Sequence, residues 1–310
     1  MIVKNSWRNK MVYSSKELIL FQCLRGRKTF SKAEEHQHYK LIKGHEGEKQ
    51  FSNLLKEQLH QDHLQINDLL LNNHGTVFQL DTLLIFNQTV YLFEVKNYQG
   101  EYQLEKDYFH CYTTAKNYRT PLHQLKRSEL MLTDLLSNMD MHFQVKSYLV
   151  FINRRFTLFQ AARNHPIILP TQVFDFIRRL NQIPGTISPK HQQLANKLHK
   201  MHIENSPYTR HPDYNFDQLQ KGMLCKNCRK HMKRSRSLLY CHHCGYQEQI
   251  DSGVLRHVIE FNLLFPEKII TRGIIHEWIG YYISRTTIQN ILAQYMKQEK
   301  KNRYTRYTFK

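Results

Sequence analysis

Two apolar runs with almost nothing between them, "TVFQLDTLLIF" (76–86) and "VYLFEVKNY" (90–98), constrain this chain more than any other stretch. Both are rich in β-branched and aromatic residues, and the "NQT" that separates them is short enough for a hairpin. Apolar side chains occupy both faces of both runs, so the sheet they found has to be covered by helices on both sides. The flanking sequence supplies those helices. "GHEGEKQFSNLLKEQL" (44–59) sets Phe51, Leu55 and Leu59 at helical spacing, and "TPLHQLKRSELMLTDLLSNM" (120–139) offers Thr120 as N-cap with Pro121 at the first helical position. "FQVKSYLVFIN" (143–153) reads as an interior strand and "PTQVFDFIRRL" (170–180) as a closing helix. Residues 40–180 are expected to form one α/β domain.

Inside this apolar hairpin the chain carries Asp81, Glu94 and Lys96. If the loop is Asn87–Gln88, Phe86 faces Thr89 and, counting outward, Asp81 faces Glu94. Like charges so placed destabilise a sheet unless something neutralises them, and a divalent cation would. Lys96 projects from the same face as Glu94. Carboxylates that hold magnesium or manganese, beside a lysine that stabilises attacking water or developing phosphoryl charge, are what a metal-dependent phosphodiesterase needs. A structural ion pair or an exposed sheet edge would give the same spacing, so both readings stay open at this point. On the first helix Glu48 falls three before Phe51, on the inward stripe, whereas Glu46 does not.

An acid, about a dozen residues, then Glu-Val-Lys ending a buried strand is similar to the catalytic hairpin of the PD-(D/E)XK, or restriction-endonuclease-like, superfamily. More narrowly, "GHEGE", "FQLDTLLIF", "YLFEVKNYQGEY" and "TPLHQ", in that order, resemble the nuclease-related domain (NERD) family of bacterial proteins over roughly residues 40–155. The resemblance implies a central mixed sheet flanked by helices. It implies Asp81 and Glu94 as magnesium or manganese ligands, Lys96 as catalytic lysine, Glu48 as the acid from the first helix, and Gln124 as an auxiliary residue. The chain departs from the family pattern in having Thr120 where Asn is common, and Tyr102, Tyr108 and Tyr112 where a tryptophan often follows the Glu-x-Lys strand.

"CKNC" (225–228) and "CHHCG" (241–245) form two Cys-x-x-Cys knuckles. Their spacing predicts a structural zinc site of the zinc-ribbon kind with Cys225, Cys228, Cys241 and Cys244 as ligands, Gly245 easing the second turn. A redox dithiol does not need two equivalent pairs. Such a site would replace the hydrophobic core that a module of residues 221–250 cannot build for itself. Between the knuckles "RKHMKRSRS" contains no acid, and Arg229, Lys230, Lys233, Arg234 and Arg236 are candidates for phosphate contacts or a solvated basic loop. Residues 255–310 read as a helical segment in which Ile274, Ile275, Trp278 and Ile279 form one stripe, Gly280 permits a turn and Ser284 caps a second helix. In a helix-turn-helix, Arg285, Thr286, Gln289 and Asn290 would face a DNA groove; a helical hairpin used for packing has the same pattern.

Charge then bears on function. The 310-residue chain carries 45 Lys and Arg against 26 Asp and Glu, a net charge of +19 that attracts polyanions, nucleic acid first, while a merely basic protein or one that touches anionic lipid would carry the same charge. With the nuclease resemblance, DNA is the expected partner ahead of RNA. The start, "MIVKNSWRNKMVYSSKELILFQC", lacks a secretory pattern and is expected to be an uncleaved basic arm (1–39) of a cytoplasmic protein. Residues 181–220 turn polar and Pro-containing and are expected to be a linker with room for one helix. The sequence thus points to a metal-dependent nuclease with zinc and helical nucleic-acid-binding modules. The alternatives are a non-catalytic nucleic-acid-binding or regulatory protein on a nuclease scaffold, and a zinc-dependent interaction module.

Overall fold

The computed structural model of the chain describes residues 16–203, 212–301 and 304–310. Two helices open it, α1 (Lys16–Leu24) and α2 (Lys32–Gln58). Next β1 (Leu64–Asn73), β2 (Thr76–Phe86) and β3 (Thr89–Lys96) form an antiparallel meander, in which Phe86 pairs with Thr89 across the turn Asn87–Gln88, as the sequence suggests. Strands β4 (Gly100–Glu105), β5 (Tyr108–Cys111) and β6 (Lys116–Arg119) begin a second sheet, followed by α3 (Pro121–Asn138). The chain returns through β7 (Gln144–Phe151), parallel to β3, and this crossover needs the intervening helix. Then β8 (Phe156–Phe159) joins β4 in the second sheet, and β9 (Ile167–Ile168) extends the main one to the order β1-β2-β3-β7-β9.

This is a mixed sheet between helices, the layering that the resemblance implies. On one face, Phe51 and Leu55 of α2 and Phe176 and Ile177 of α4 (Val173–Leu180) pack with Phe86 and Phe93. On the other, Leu132 and Leu135 of α3 and Leu194 and Leu198 of α5 (Pro189–Lys200) pack with Leu83 and Leu92. That second group changes the organisation expected for residues 181–220. Leu194 and Leu198 stand four apart in a polar sequence, and this narrow stripe is enough to dock one face of α5 on the core. Residues 204–211 of that span lie outside the described residues.

The remaining elements are β10 (Lys233–Ser235), β11 (Leu238–Tyr240), β12 (Gln247–Gln249), α6 (Ile250–Leu264), α7 (Arg272–Trp278), α8 (Arg285–Tyr295), β13 (Lys297–Lys301) and β14 (Tyr304–Thr308). The described chain divides into two compact units, a cysteine unit of residues 16–38 and 212–310 and a sheet unit of residues 39–203. Residues 16–38 therefore do not form an arm: Leu20 and Leu24 of α1 belong to one core with Leu239, Phe261, Trp278 and Ile288. The first fifteen residues of the expected arm lie outside the described residues. Nor are residues 221–250 and 255–310 separate modules, since thirty residues around four cysteines have too little apolar surface and share this core instead. Among the described residues no helix is long and apolar enough to cross a membrane.

At the centre of the cysteine unit Glu260 of α6, buried, receives the guanidinium of Arg27, and Arg229 donates to its other oxygen at 3.0 Å. Arg27 lies 3.7 Å over the Trp278 ring and is fully buried. Burial raises the carboxyl pKa of Glu260, but Arg27 and Arg229 outweigh it and hold the group well below the usual carboxylate range. Glu260→Ala would strand Arg27 without a counter-charge, so we expect a loss of about 3–5 kcal/mol. Urea denaturation should show it at neutral pH. Because the folded pKa is depressed, the contribution holds above the unfolded value of about 4.3 and fades as pH falls below it. A loss under about 1 kcal/mol would contradict the pairing.

Candidate active site and metal centre

Strands β2 and β3 part company at the acidic residues. Their ladder ends at Thr82–Phe93, and one step further Asp81 and Glu94 fall opposite each other. There the Asp81 carboxylate takes over from the backbone, accepting the N–H of Val95 at 2.9 Å. Glu94 is 1% exposed; its Oε1 accepts from Lys96 Nζ at 2.7 Å, while its Oε2 is buried with no hydrogen-bond partner. Gln124, on the second turn of α3, accepts from the same Nζ at 3.4 Å. The Thr120 side chain caps that helix by accepting from Leu122 N, so Thr does here what an Asn would. The sequence-derived residues Asp81, Glu94, Lys96 and Gln124 therefore converge.

Glu48 approaches from α2, half-buried, whereas Glu46 is exposed and pairs with Lys43 at 2.8 Å. What brings α2 in is Gly47. A Cβ on it would stand 2.7 Å from Cβ of Asn97 and 3.3 Å from Cγ2 of Ile152, so only a glycine lets the helix touch the end of β3. Asn97, next to Lys96, fixes the contact by donating to the Lys43 carbonyl at 2.9 Å and accepting from Asn153 at 3.0 Å. Gly47→Ala is expected to cost about 1–3 kcal/mol through overpacking and to draw Glu48 off the site. The denaturation midpoint should fall, and an unchanged midpoint would show that the helix is free to move.

The electrostatics are those of a site short of positive charge. Burial, then Glu94 and Glu48, push the Asp81 pKa well above the usual carboxylate range. Burial, then the Asp68 carboxylate, raise Glu48 to about 7. Lys96 is disfavoured as a cation by burial, but Glu94 and Asp81 outweigh that and push its pKa up. Asp68 and Asn97 were missed by sequence reasoning. The run "LQINDLLLN" that forms β1 has an acid in a strand-like stretch, as β2 and β3 do. Its neighbours Asn67 and Leu69 pair with Thr82 and Leu80, which puts Asp68 across from Asp81, and it takes a φ of 52° there.

These residues fit a divalent ion. An orphaned, buried Glu94 oxygen lies beside a carboxylate with a raised pKa, and magnesium is commonly held by one or two carboxylates with phosphate oxygens and water completing the octahedron. Among the described residues, the four cysteines are the group whose ligand atoms already cluster as a closed site demands. Their sulfurs lie within 4.8 Å of one another, with Cys225–Cys244 at 3.5 Å and Cys228–Cys241 at 3.4 Å. Tetrahedral thiolates around zinc stand about 3.8 Å apart. Both knuckles close alike, Arg229 N bonding to Cys225 O and Gly245 N to Cys241 O, with left-handed φ values of 60° and 72°. Burial raises the Cys241 pKa, but N–H groups of Cys244 and His243 help bring it down to about 7.

One nucleic-acid candidate is corrected. Arg229 occupies a left-handed position that glycine fills in the other knuckle, and its side chain is spent on Glu260 and the carbonyls of Cys23 and Arg25. It stabilises the fold, and its guanidinium is turned into the unit. Lys230, Lys233, Arg234 and Arg236 are exposed, as are Arg285, Thr286, Gln289 and Asn290 on α8.

Residues 43–152 match the family model of the nuclease-related domain. Among solved structures the chain is similar to Can2 from Sulfobacillus thermosulfidooxidans in complex with cyclic tetra-adenylate, at 12% identity and a TM-score of 0.30 over 58% of this chain. The alignment spans 53% of that chain, about half its length. No curated protein sequence matches.

Proposed function

We propose that the nuclease-related domain hydrolyses phosphodiester bonds of nucleic acid, DNA ahead of RNA, with magnesium or manganese held by Asp81 and Glu94. The single observation that supports this most is the partnerless Glu94 oxygen beside Asp81, a concentration of buried negative charge that destabilises the fold unless a cation enters. The ion, when bound, supplies Lewis-acid stabilisation of a phosphoryl oxygen and lowers the pKa of water. The chain does the rest. Lys96, cationic and steered by Glu94 and Gln124, places a positive charge where the phosphate oxygens gain charge in the transition state. Glu48, with a pKa of about 7, is suited to accept a proton from the attacking water near neutral pH. Asp68 adds to the negative field that draws the ion in.

The four cysteines hold zinc in a purely structural role, because four thiolates leave no open position. The deciding assay incubates the purified full chain with magnesium or manganese and single-stranded, duplex and branched DNA and RNA, beside the Glu94→Ala variant. Cleavage lost in the variant supports the proposal. Cleavage by neither protein, with nucleic-acid binding intact, would favour a binding protein on a nuclease scaffold.

A further inference from the structure

The cysteine unit carries a surface that the catalytic site does not use. Helices α6, α7 and α8 are followed by the β13–β14 hairpin, and Tyr307 of that hairpin bridges to Ile270, just ahead of α7, with its N–H on the Ile270 carbonyl at 3.0 Å. The terminal hairpin is thus pinned beside the helix-turn-helix pair, in the way a wing is.

Helix α8 is built to present one face. Ser284 caps it by accepting from Thr287 N at 3.2 Å, and Ile288, Ile291 and Leu292 are buried. Arg285, Thr286, Gln289, Asn290 and Ala293 form the opposite, exposed stripe. No acidic residue occurs between Glu277 and Glu299. Arg272 of α7 donates to Gln289 at 2.6 Å and Arg285 to His276 at 3.3 Å, so two arginines are held at this face with most of their donors free for a ligand.

The zinc-ribbon hairpin continues the surface. The backbone N–H of Arg234 in β10 donates to the hydroxyl of Tyr282, in the turn between α7 and α8, at 3.2 Å. Lys230, Lys233, Arg234 and Arg236 of that hairpin are exposed, in a segment with no acid. Two cationic patches, distant in purpose when read from sequence, are therefore contiguous.

We propose that the ribbon hairpin, the α7–turn–α8 pair and the terminal hairpin form a single docking surface for duplex DNA. The exposed stripe of α8 enters the major groove, the ribbon lysines and arginines contact the phosphates alongside, and the terminal hairpin flanks the site. Side chains such as Thr286, Gln289 and Asn290 are of the length and polarity that bond base edges, and a helix fits the roughly 12 Å major groove of B-form DNA. The deep, narrow major groove of duplex RNA excludes it. The inference goes beyond the cleavage reading, and it stands whether or not the nuclease-related domain cuts.

Fluorescence anisotropy with the full-length, zinc-loaded protein in magnesium-free buffer tests it without any dependence on cleavage. Duplex DNA should bind at least about tenfold tighter than duplex RNA or single strands of equal length. Replacing Lys230, Lys233, Arg234 and Arg236 together by Ala should weaken binding by about 10²-fold or more and lower the salt slope by about 3–4. Arg285→Ala with Asn290→Ala should also weaken it and flatten any preference among duplex sequences. Removing Lys190, Lys197 and Lys200 from α5 of the sheet unit should leave affinity within about threefold. Zinc content and unchanged near-ultraviolet circular dichroism establish that each variant is folded. Equal losses from the α5 variant, or equal affinity for duplex RNA, would overturn the proposal in favour of unspecific attraction by net charge, and tighter binding of single strands would overturn it in favour of an unpaired ligand.

Discussion

Asp81→Asn is expected to abolish magnesium-dependent cleavage and, in magnesium-free buffer, to raise the melting temperature. The substitution keeps an oxygen that can accept the Val95 N–H and removes a charge that burial, Glu94 and Glu48 all disfavour. A carboxylate whose folded pKa lies above its unfolded one opposes folding once pH exceeds the unfolded value of about 3.9. The native state is penalised by about 1.4 kcal/mol for each unit of difference, up to the folded pKa. Asparagine removes that penalty at neutral pH, so the stabilisation should shrink as pH is lowered toward 4. Glu94→Ala and Lys96→Ala should each reduce cleavage by about 10³-fold or more. Duplex DNA binding measured without magnesium should be nearly unaffected. Cleavage by these variants at the original rate would sink the catalytic assignment, and a large destabilisation by Asp81→Asn would show that the acids are a structural pair.

Zinc removal is the second large effect, and the structure widens it. If zinc only replaced the core of a separate module of residues 221–250, a chelator would unfold that module alone. But Cys225 and Cys241 lie in the same core as Leu24, Phe261, Trp278 and Ile288, so the loss should spread through the whole cysteine unit. Apparent zinc contributions of about 10–16 kcal/mol in small modules exceed what the rest of such a unit is apt to supply. Trp278, fully buried beneath Arg27, is the reporter: its emission should shift to the red on zinc-selective chelation and recover when zinc is restored. The experiment is cleanest in a Trp7→Phe background, which leaves one tryptophan. The sheet unit, with its own two cores, should keep its melting transition, and any cleavage should be slowed by weakened DNA binding without being abolished. Unchanged Trp278 emission would mean that the four cysteines are not what holds this unit together.

Much of the candidate site was legible because its members are close in sequence. The β2–β3 register follows from a two-residue loop and alternation of period two, which sets Asp81 against Glu94 and puts Lys96 on the same face. Helical spacing chose Glu48 over Glu46, and the structure places Glu46 in solvent with Lys43. Two knuckles of fixed spacing named four thiolates that now cluster within 4.8 Å. In each case a local period or a short loop carries the geometry, so a single chain read in order is enough.

The rest depended on partners that no local period encodes. Asp68 joins the acids through a neighbouring strand, and Gly47 matters only because Asn97 and Ile152 crowd it. α5 hides a two-leucine stripe in a polar stretch whose composition reads as linker. Arg229 looked like one more phosphate contact until Glu260 claimed it, and Arg27 meets the same carboxylate across 233 residues of chain. Spacing along the chain sets Asp81, Glu94 and Lys96 on one face, because strand and helix periods are local. Which charges are spent on the fold and which remain for a ligand follows from packing alone, because burial and pairing belong to residues distant in the chain that meet in space.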